Sequence, residues 1–426
     1  MLPFNLAHFN LAGDDSHGQQ APRSAPTPTE FLMVLGFVNT LGFAGWQALI
    51  NNFAREQAGF GWFETGLNQS MRELPGLLAF TAIFWLIWLR EQSLAYISLV
   101  MASIGIAMTG FFPSLGGILL TTLAMSIGFH YFETASHSLQ LQLLRQENAA
   151  REMGRIQSAT SAAQFVAYTI VFALTVWSGL VSYTTVFMVF GLAGILLTWQ
   201  AFRRFPQYEG PVVQRKTLVL RRRYGLYYAL TFMSGARRQI FVAFGAFLLV
   251  DRFGLGVDKI ALLYLVTAFA STLLAPRIGR LIERIGERRT MILENLILIL
   301  VFTGYAMTTS AAIAALLFVI DGASTSLAIA QRTYIQKIGD RADMTATTSV
   351  AFTFNHIAAV IIPVVFGALG HRDPSIIFWL GTGIAMLSLT LALLVPKVPE
   401  PGNESNWSWL NAPRRVPRQS APQLAE

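Results

Sequence analysis

The chain has 426 residues, 54% of them hydrophobic and 13% charged, with a formal net charge of +8 and no cysteine. A soluble chain carries charge on about a quarter of its residues, so this apolar excess points to an integral membrane protein. Without cysteine, disulfides, thiolate metal sites and cysteine nucleophiles are excluded.

Residues 1–29 are rich in Pro, Ser, Gly and Gln and lack a basic segment followed by an apolar core. They read as a disordered tail and not as a signal peptide. A helix needs about 20 mostly apolar residues to cross a bilayer. Twelve such stretches follow, at 31–52, 63–89, 93–112, 115–144, 155–178, 182–202, 224–250, 258–281, 291–309, 312–337, 346–370 and 375–395. The expected fold is therefore an all-α integral membrane protein with twelve transmembrane helices. Its first six-helix half covers 30–202 and its second 224–396, joined by a basic linker at 203–223 and followed by a disordered tail at 397–426.

Arginine and lysine sort to one side of these spans. Arg145, Arg151 and Arg155, the run RKTLVLRRR at 215–223, and the group from Arg277 to Arg289 fall together, leaving Arg55, Arg252, Lys259 and Arg372 opposite. The positive-inside bias then places both termini in the cytoplasm of a multi-pass protein of the plasma (inner) membrane. It also accounts for the positive charge with the lipid surface as partner and no nucleic acid.

The halves echo each other. ETASHSL at 133–139 in the fourth span matches DGASTSL at 321–327 in the tenth, and GWQ at 45–47 in the first matches RRQ at 237–239 in the seventh, both offset by roughly 190 residues. A repeat of this kind brings the first, fourth, seventh and tenth spans around a central axis, with the substrate near mid-membrane.

Arg237 and Arg238 lie half-way along the seventh span, where a charge costs about 2.5–3.5 kcal/mol on insertion scales. Successive helical residues point about 100° apart, so one guanidinium is expected in the cavity and the other against a carboxylate. A distortion at Ser234-Gly235 would let both face one ligand. Glu133 and Asp321, at matching repeat positions, are the expected carboxylates, as ion-pair partners or proton carriers. His130, Glu133 and His137 share one face of the fourth span by their spacing. They suit a proton relay or hydrogen bonding to an organic solute, since the nearby arginines oppose a metal cargo and no second ligand cluster completes a shell. No resident metal or cofactor is expected. Arg72 and Glu73 read as an ion pair of the outer gate or a snorkelling anchor. Asn39, Trp46, Gln47, Tyr131 and Gln239 are further cavity-lining candidates, and His356 reads as an isolated histidine satisfied within the bundle.

GRLIERIGERR at 279–289 resembles the loop signature of the major facilitator superfamily, with Gly279, Glu283, Arg284, Gly286, Arg288 and Arg289 in its places and Glu283 where the family usually has Asp. There Gly279 would allow close helix approach, Gly286 a tight turn, and the alternating charges ion pairs that latch the inner gate. The equivalent loop of the first half, WLIWLREQSLAY at 85–96, has no such turn, and the fifth span lacks the glycine–proline element of the drug antiporters. The resemblance implies a secondary active transporter that works by alternating access, for which a monomer suffices. A small organic solute, anionic or amphiphilic, is the expected cargo, with a proton or another ion as a candidate coupling partner. The alternatives are an exporter of neutral or cationic amphiphiles, a divalent-metal transporter, and a polytopic membrane enzyme. No nucleotide-binding loop, zinc-protease helix or serine-nucleophile elbow is present.

Overall fold

The computed structural model describes residues 26–86, 88–144, 149–178, 182–208, 220–340, 344–407 and 409. Most of the amino-terminal tail, the middle of the basic linker and the end of the carboxyl-terminal tail lie outside these residues.

The first helix, α1 (Pro28–Ala58), starts where Thr27 and Glu30 close a capping box with Pro28 in the first turn. It stops at Gly59, whose φ of 65° places it in the left-handed region. The second span is broken. Helix α2 (Trp62–Leu77) carries Pro75, then a 3-10 turn at Ala79–Thr81 leads into the short α3 (Ala82–Trp85). Regular helices follow as α4 (Glu91–Thr109), α5 (Leu115–Leu143), α6 (Ala149–Ser178) and α7 (Tyr183–Arg204).

The seventh span comprises α8 (Gly225–Gln239), a π-helical segment at Ile240–Gly245, and α9 (Ala246–Asp251). The distortion expected at Ser234-Gly235 is therefore found just after the arginines. Gly235 has a different use: a Cβ there would press on Asn355, so the glycine lets the eleventh span come close. Helix α10 (Val257–Met307) runs for 51 residues, about 77 Å at 1.5 Å per residue and more than twice a hydrocarbon core of roughly 30 Å. Gly286, with φ 80° and ψ 166°, breaks it into the eighth and ninth spans. The tenth is α11 (Ala311–Ser324), a 3-10 turn at Thr325–Ala328, and α12 (Ile329–Ile338); α13 (Met344–Gly370) and α14 (Ser375–Leu393) complete the bundle.

Among the described residues, ten helices are long and apolar enough to cross a membrane. Dividing α10 at Gly286 and adding the broken 62–85 segment is consistent with twelve spans. Large apolar side chains such as Leu120, Trp177, Leu196, Leu300 and Leu316 stand exposed on the outside of the bundle, as a lipid-facing surface requires.

Residues 397–407 differ from the expected disordered tail. Glu404 is fully buried and its carbonyl accepts a 2.5 Å hydrogen bond from the Tyr334 hydroxyl, while the Asn406 amide caps the carbonyl of Leu393 at 3.2 Å. This segment folds back over the ends of α12 and α14.

The two groups of helices meet unequally. Among the described residues, the hydrogen bonds and ion pairs joining them run from the middle of the bundle to the end bearing the Gly59–Gly61 and Arg252–Gly256 turns. These contacts close that end, and among the described residues none joins the two groups at the opposite, open end.

Candidate functional site

At the closed end, Arg55 pairs with Asp251 at 2.7 Å, and the Trp62 indole donates to the same carboxylate at 3.0 Å. Asn52 donates to the Leu255 carbonyl at 2.9 Å. The Trp62 ring is held by Phe244, Phe247 and Phe378. Deeper in, Tyr168 of α6 stacks on Tyr264 of α10 with ring centroids 5.2 Å apart. Gly66 of α2 lies against the Pro363 carbonyl of α13, and Gly367 against the Trp62 carbonyl, where any Cβ would collide with backbone.

Below this seal the two arginines of α8 diverge. Arg237 is buried; it donates to Asn295 at 2.9 Å and pairs with Glu294 at 3.0 Å, both on the ninth span. Arg238 is exposed and donates to Asn355 of α13 at 3.0 Å. Among the described residues Arg238 forms no ion pair. Gln239, fully buried, accepts a 2.6 Å hydrogen bond from Gln69 of α2.

A second polar group lies on the other side of the interface. Arg72 and Glu73 are both buried and pair at 2.5 Å, with the Arg72 Nε also donating to Gln69 at 3.1 Å and its guanidinium over the Phe43 ring. The other carboxylate oxygen of Glu73 is 3.7 Å from His356 Nε2. His130 of α5 meets His356 edge to face, ring centroids 5.4 Å apart. Gly76 makes room for both imidazoles, because a Cβ there would strike each ring. The donor atoms of Glu73, His130 and His356 all lie within 4.8 Å of one another.

The fold matches that of solved transporters. The structure resembles a mutant of the nucleoside transporter NupG, with a TM-score of 0.71 at 14% identity over 86% of this chain and 99% of that one. A bacterial homologue of the human lysosomal transporter Spinster, inward-facing and occupied, gives 0.68 at 14% identity over 87% and 97%. A bacterial homologue of the iron transporter ferroportin, inward-facing, gives 0.64 at 13% identity over 86% and 98%. No curated relative matches the chain in sequence. In the second half, the Major Facilitator Superfamily profile matches residues 226–418. That match spans under half of the chain, and the fold of the whole is the one those transporters share.

Several residues of the chain stand elsewhere than their spacing suggested. Arg72 and Glu73 are buried, so they do not snorkel to a surface. His130 and Glu133 approach to 3.4 Å, within ion-pairing range but not aligned as a hydrogen bond. His137 is exposed and stays out of that pair. Neither Glu133 nor Asp321 is the carboxylate on Arg237; Asp321 is buried with Oδ2 meeting no partner among the described residues. Tyr131 bonds to Thr81 at 2.6 Å and Gln47 to Tyr264 at 3.1 Å, while Asn39 is half-buried. Trp46 borders a small cavity of about 20 Å³ with Asn51, Thr65 and Asn68, each offering it an unpartnered polar atom. Space of that size with several polar partners suits a water molecule.

In the eighth-to-ninth turn Gly286 takes its left-handed backbone, while no Cβ contact restricts Gly279. Glu283, Arg284, Arg288 and Arg289 form no ion pairs among the described residues; the pair found in this turn is Glu287 with Lys337, at 2.6 Å. Sequence reasoning missed Glu294, although an acid inside MILENLILIL is itself a signal. It also left His356 without its partners, which come from two other helices of the first half.

Proposed function

We propose that the transporter moves a small organic solute bearing an anionic group, with Arg238 as its counter-charge. One observation carries this reading. Arg237 is neutralised by Glu294 and Arg72 by Glu73, whereas Arg238 is exposed, forms no ion pair among the described residues and hydrogen-bonds the neutral amide of Asn355. A carboxylate or phosphate would gain a charge-assisted hydrogen bond there that a neutral solute would not.

With both termini placed in the cytoplasm by the charge bias, the open end faces inward and the latch of Arg55, Trp62 and Asp251 closes the outside. Transport then requires that latch to part while the turn around Gly286 closes the opposite mouth, bringing Glu283, Arg284, Arg288 and Arg289 into ion pairs. Asp321, with its buried Oδ2 unpartnered and no ion pair among the described residues, can exchange a proton without breaking one, which makes it the coupling candidate.

The test is a thermal-shift screen of the purified transporter against organic anions, cations and neutral amphiphiles, repeated with Arg238→Gln. Stabilisation by anions that this variant abolishes supports the reading. Stabilisation by cations or neutral amphiphiles that Arg238→Gln leaves intact overturns it.

A further inference from the structure

We infer that Glu73, His130 and His356 form a binding site for a divalent first-row transition metal, built across the two halves of the transporter. The inference stands apart from the anion reading, since it uses neither Arg238 nor an organic cargo.

Three observations support it. First, the donor set is two imidazoles and a carboxylate, all three residues buried and their ligand atoms within 4.8 Å of one another. Around a tetrahedral ion with bonds of about 2.0–2.1 Å, ligand atoms sit roughly 3.3–3.5 Å apart. The Glu73–His356 separation of 3.7 Å nearly meets that; side-chain rotation of about 1 Å closes the longest gap.

Second, each imidazole has an oxygen against its Nδ1. In His356 this is the Phe352 carbonyl, hydrogen-bonded at 3.0 Å, and in His130 the Glu133 carboxylate, 3.4 Å away and within ion-pairing range though not aligned as a hydrogen bond. A proton on Nδ1 leaves the Nε2 lone pair for a metal, and an outer partner of this kind is the usual support of a histidine ligand. Third, the space is kept free by Gly76, whose missing Cβ is the only thing that admits both rings.

Nitrogen and carboxylate ligands suit Zn²⁺, Fe²⁺ or Mn²⁺ over Ca²⁺ or Mg²⁺. Glu73 and His130 belong to the first half and His356 to the second, so a bound ion ties the halves together in the conformation seen here. Two guanidinium groups oppose it: Arg72 shares Glu73, and Arg238, across the interface, places its charge near Glu73 and His356. Removing the positive charge of Arg238 therefore tightens metal binding, the opposite of its effect on an anion.

The experiment is equilibrium dialysis of EDTA-stripped, detergent-purified transporter against Zn²⁺, with bound metal counted by mass spectrometry and melting followed in parallel. The expected result is one Zn²⁺ per chain and a raised Tm. Both should be lost in His130→Ala and in His356→Ala, retained in His356→Cys because a thiolate replaces the imidazole, and unchanged in His137→Ala. Glu133→Gln should weaken binding roughly 10-fold as an outer-partner loss, and Arg238→Gln should tighten it. If an alanine variant fails to fold, Glu73→Gln and His356→Cys decide, the first losing the metal and the second keeping it. Absence of Zn²⁺ binding, or binding indifferent to His356→Ala or to Glu73→Gln, overturns the inference; so does binding that His137→Ala abolishes, which would mark an adventitious surface ion.

Discussion

Gly66 rests directly on the backbone carbonyl of Pro363, with no space between them for a side-chain carbon. This close approach of the two halves at the closed end depends on glycine for lack of bulk rather than for an unusual backbone angle. Gly66→Ala should therefore force α2 and α13 apart. Overpacking of this kind costs about 1–3 kcal/mol, charged here to one conformation. Because the native chain has no cysteine, spin labels can be placed on Gln57→Cys and Gly254→Cys. The distance between them should lengthen in Gly66→Ala; an unchanged distance would mean that the contact does not hold this end shut.

Arg237 and Arg238 should separate cleanly in stability measurements. Arg237→Gln leaves Glu294 buried without its partner, a loss of about 3–5 kcal/mol for a broken buried pair. Adding Glu294→Gln should recover most of that loss. Arg238→Gln should leave the melting temperature nearly unchanged. Equal destabilisation by both single variants would contradict the assignment of one arginine to the scaffold and the other to the open side.

The latch predicts a different signature. Asp251→Asn weakens contacts to both Arg55 and Trp62. The ion pair is partly solvent-exposed, so the effect on overall stability should stay within about 1 kcal/mol. Opening should nevertheless become more frequent at the closed end, read as faster maleimide labelling of Asn52→Cys in the Asp251→Asn background.

Gly286 adopts a backbone conformation that is essentially reserved for glycine, with φ 80° and ψ 166°. Gly286→Ala should cost about 1–3 kcal/mol, seen as a lower melting temperature. Gly279→Ala, where a Cβ meets nothing, should be tolerated and serves as the control in the same loop.

One acid outside the spans gives a pH-dependent expectation. Asp373 accepts a 2.9 Å hydrogen bond from the Ser375 backbone N–H, which lowers its pKa from the ordinary value of 3.8. A depressed pKa means that this contact supports the start of α14 above that value and is lost as pH falls through the lowered one. Asp373→Asn should flatten the acid limb of the melting-temperature profile and leave the neutral range unchanged.

The helices were legible because hydrocarbon demands a local property, about 20 apolar residues in a row, and composition records it directly. The eighth and ninth spans were read as two, and the structure separates them at Gly286, where a single glycine turns the chain. The charged partners were much less legible. Glu294 sits in so apolar a run that the span masks it, while Glu133 and Asp321 drew attention through the repeat and turned out not to hold Arg237. His356 looked isolated because periodicity relates residues a few positions apart, whereas its neighbours Glu73 and His130 arrive from the other half. Ion pairing across a bundle is a property of packing, and spacing along one helix does not encode it.

The π-helical stretch at Ile240–Gly245 stores one surplus residue in the seventh span. If the regular ladder absorbed that slack, everything on one side of it would turn by about 100° relative to the other. That is the angle separating Arg237 from Arg238. A one-residue change of register at the wide turn would thus bring Arg238 round to the bearing Arg237 now holds, at the cost of the pair with Glu294.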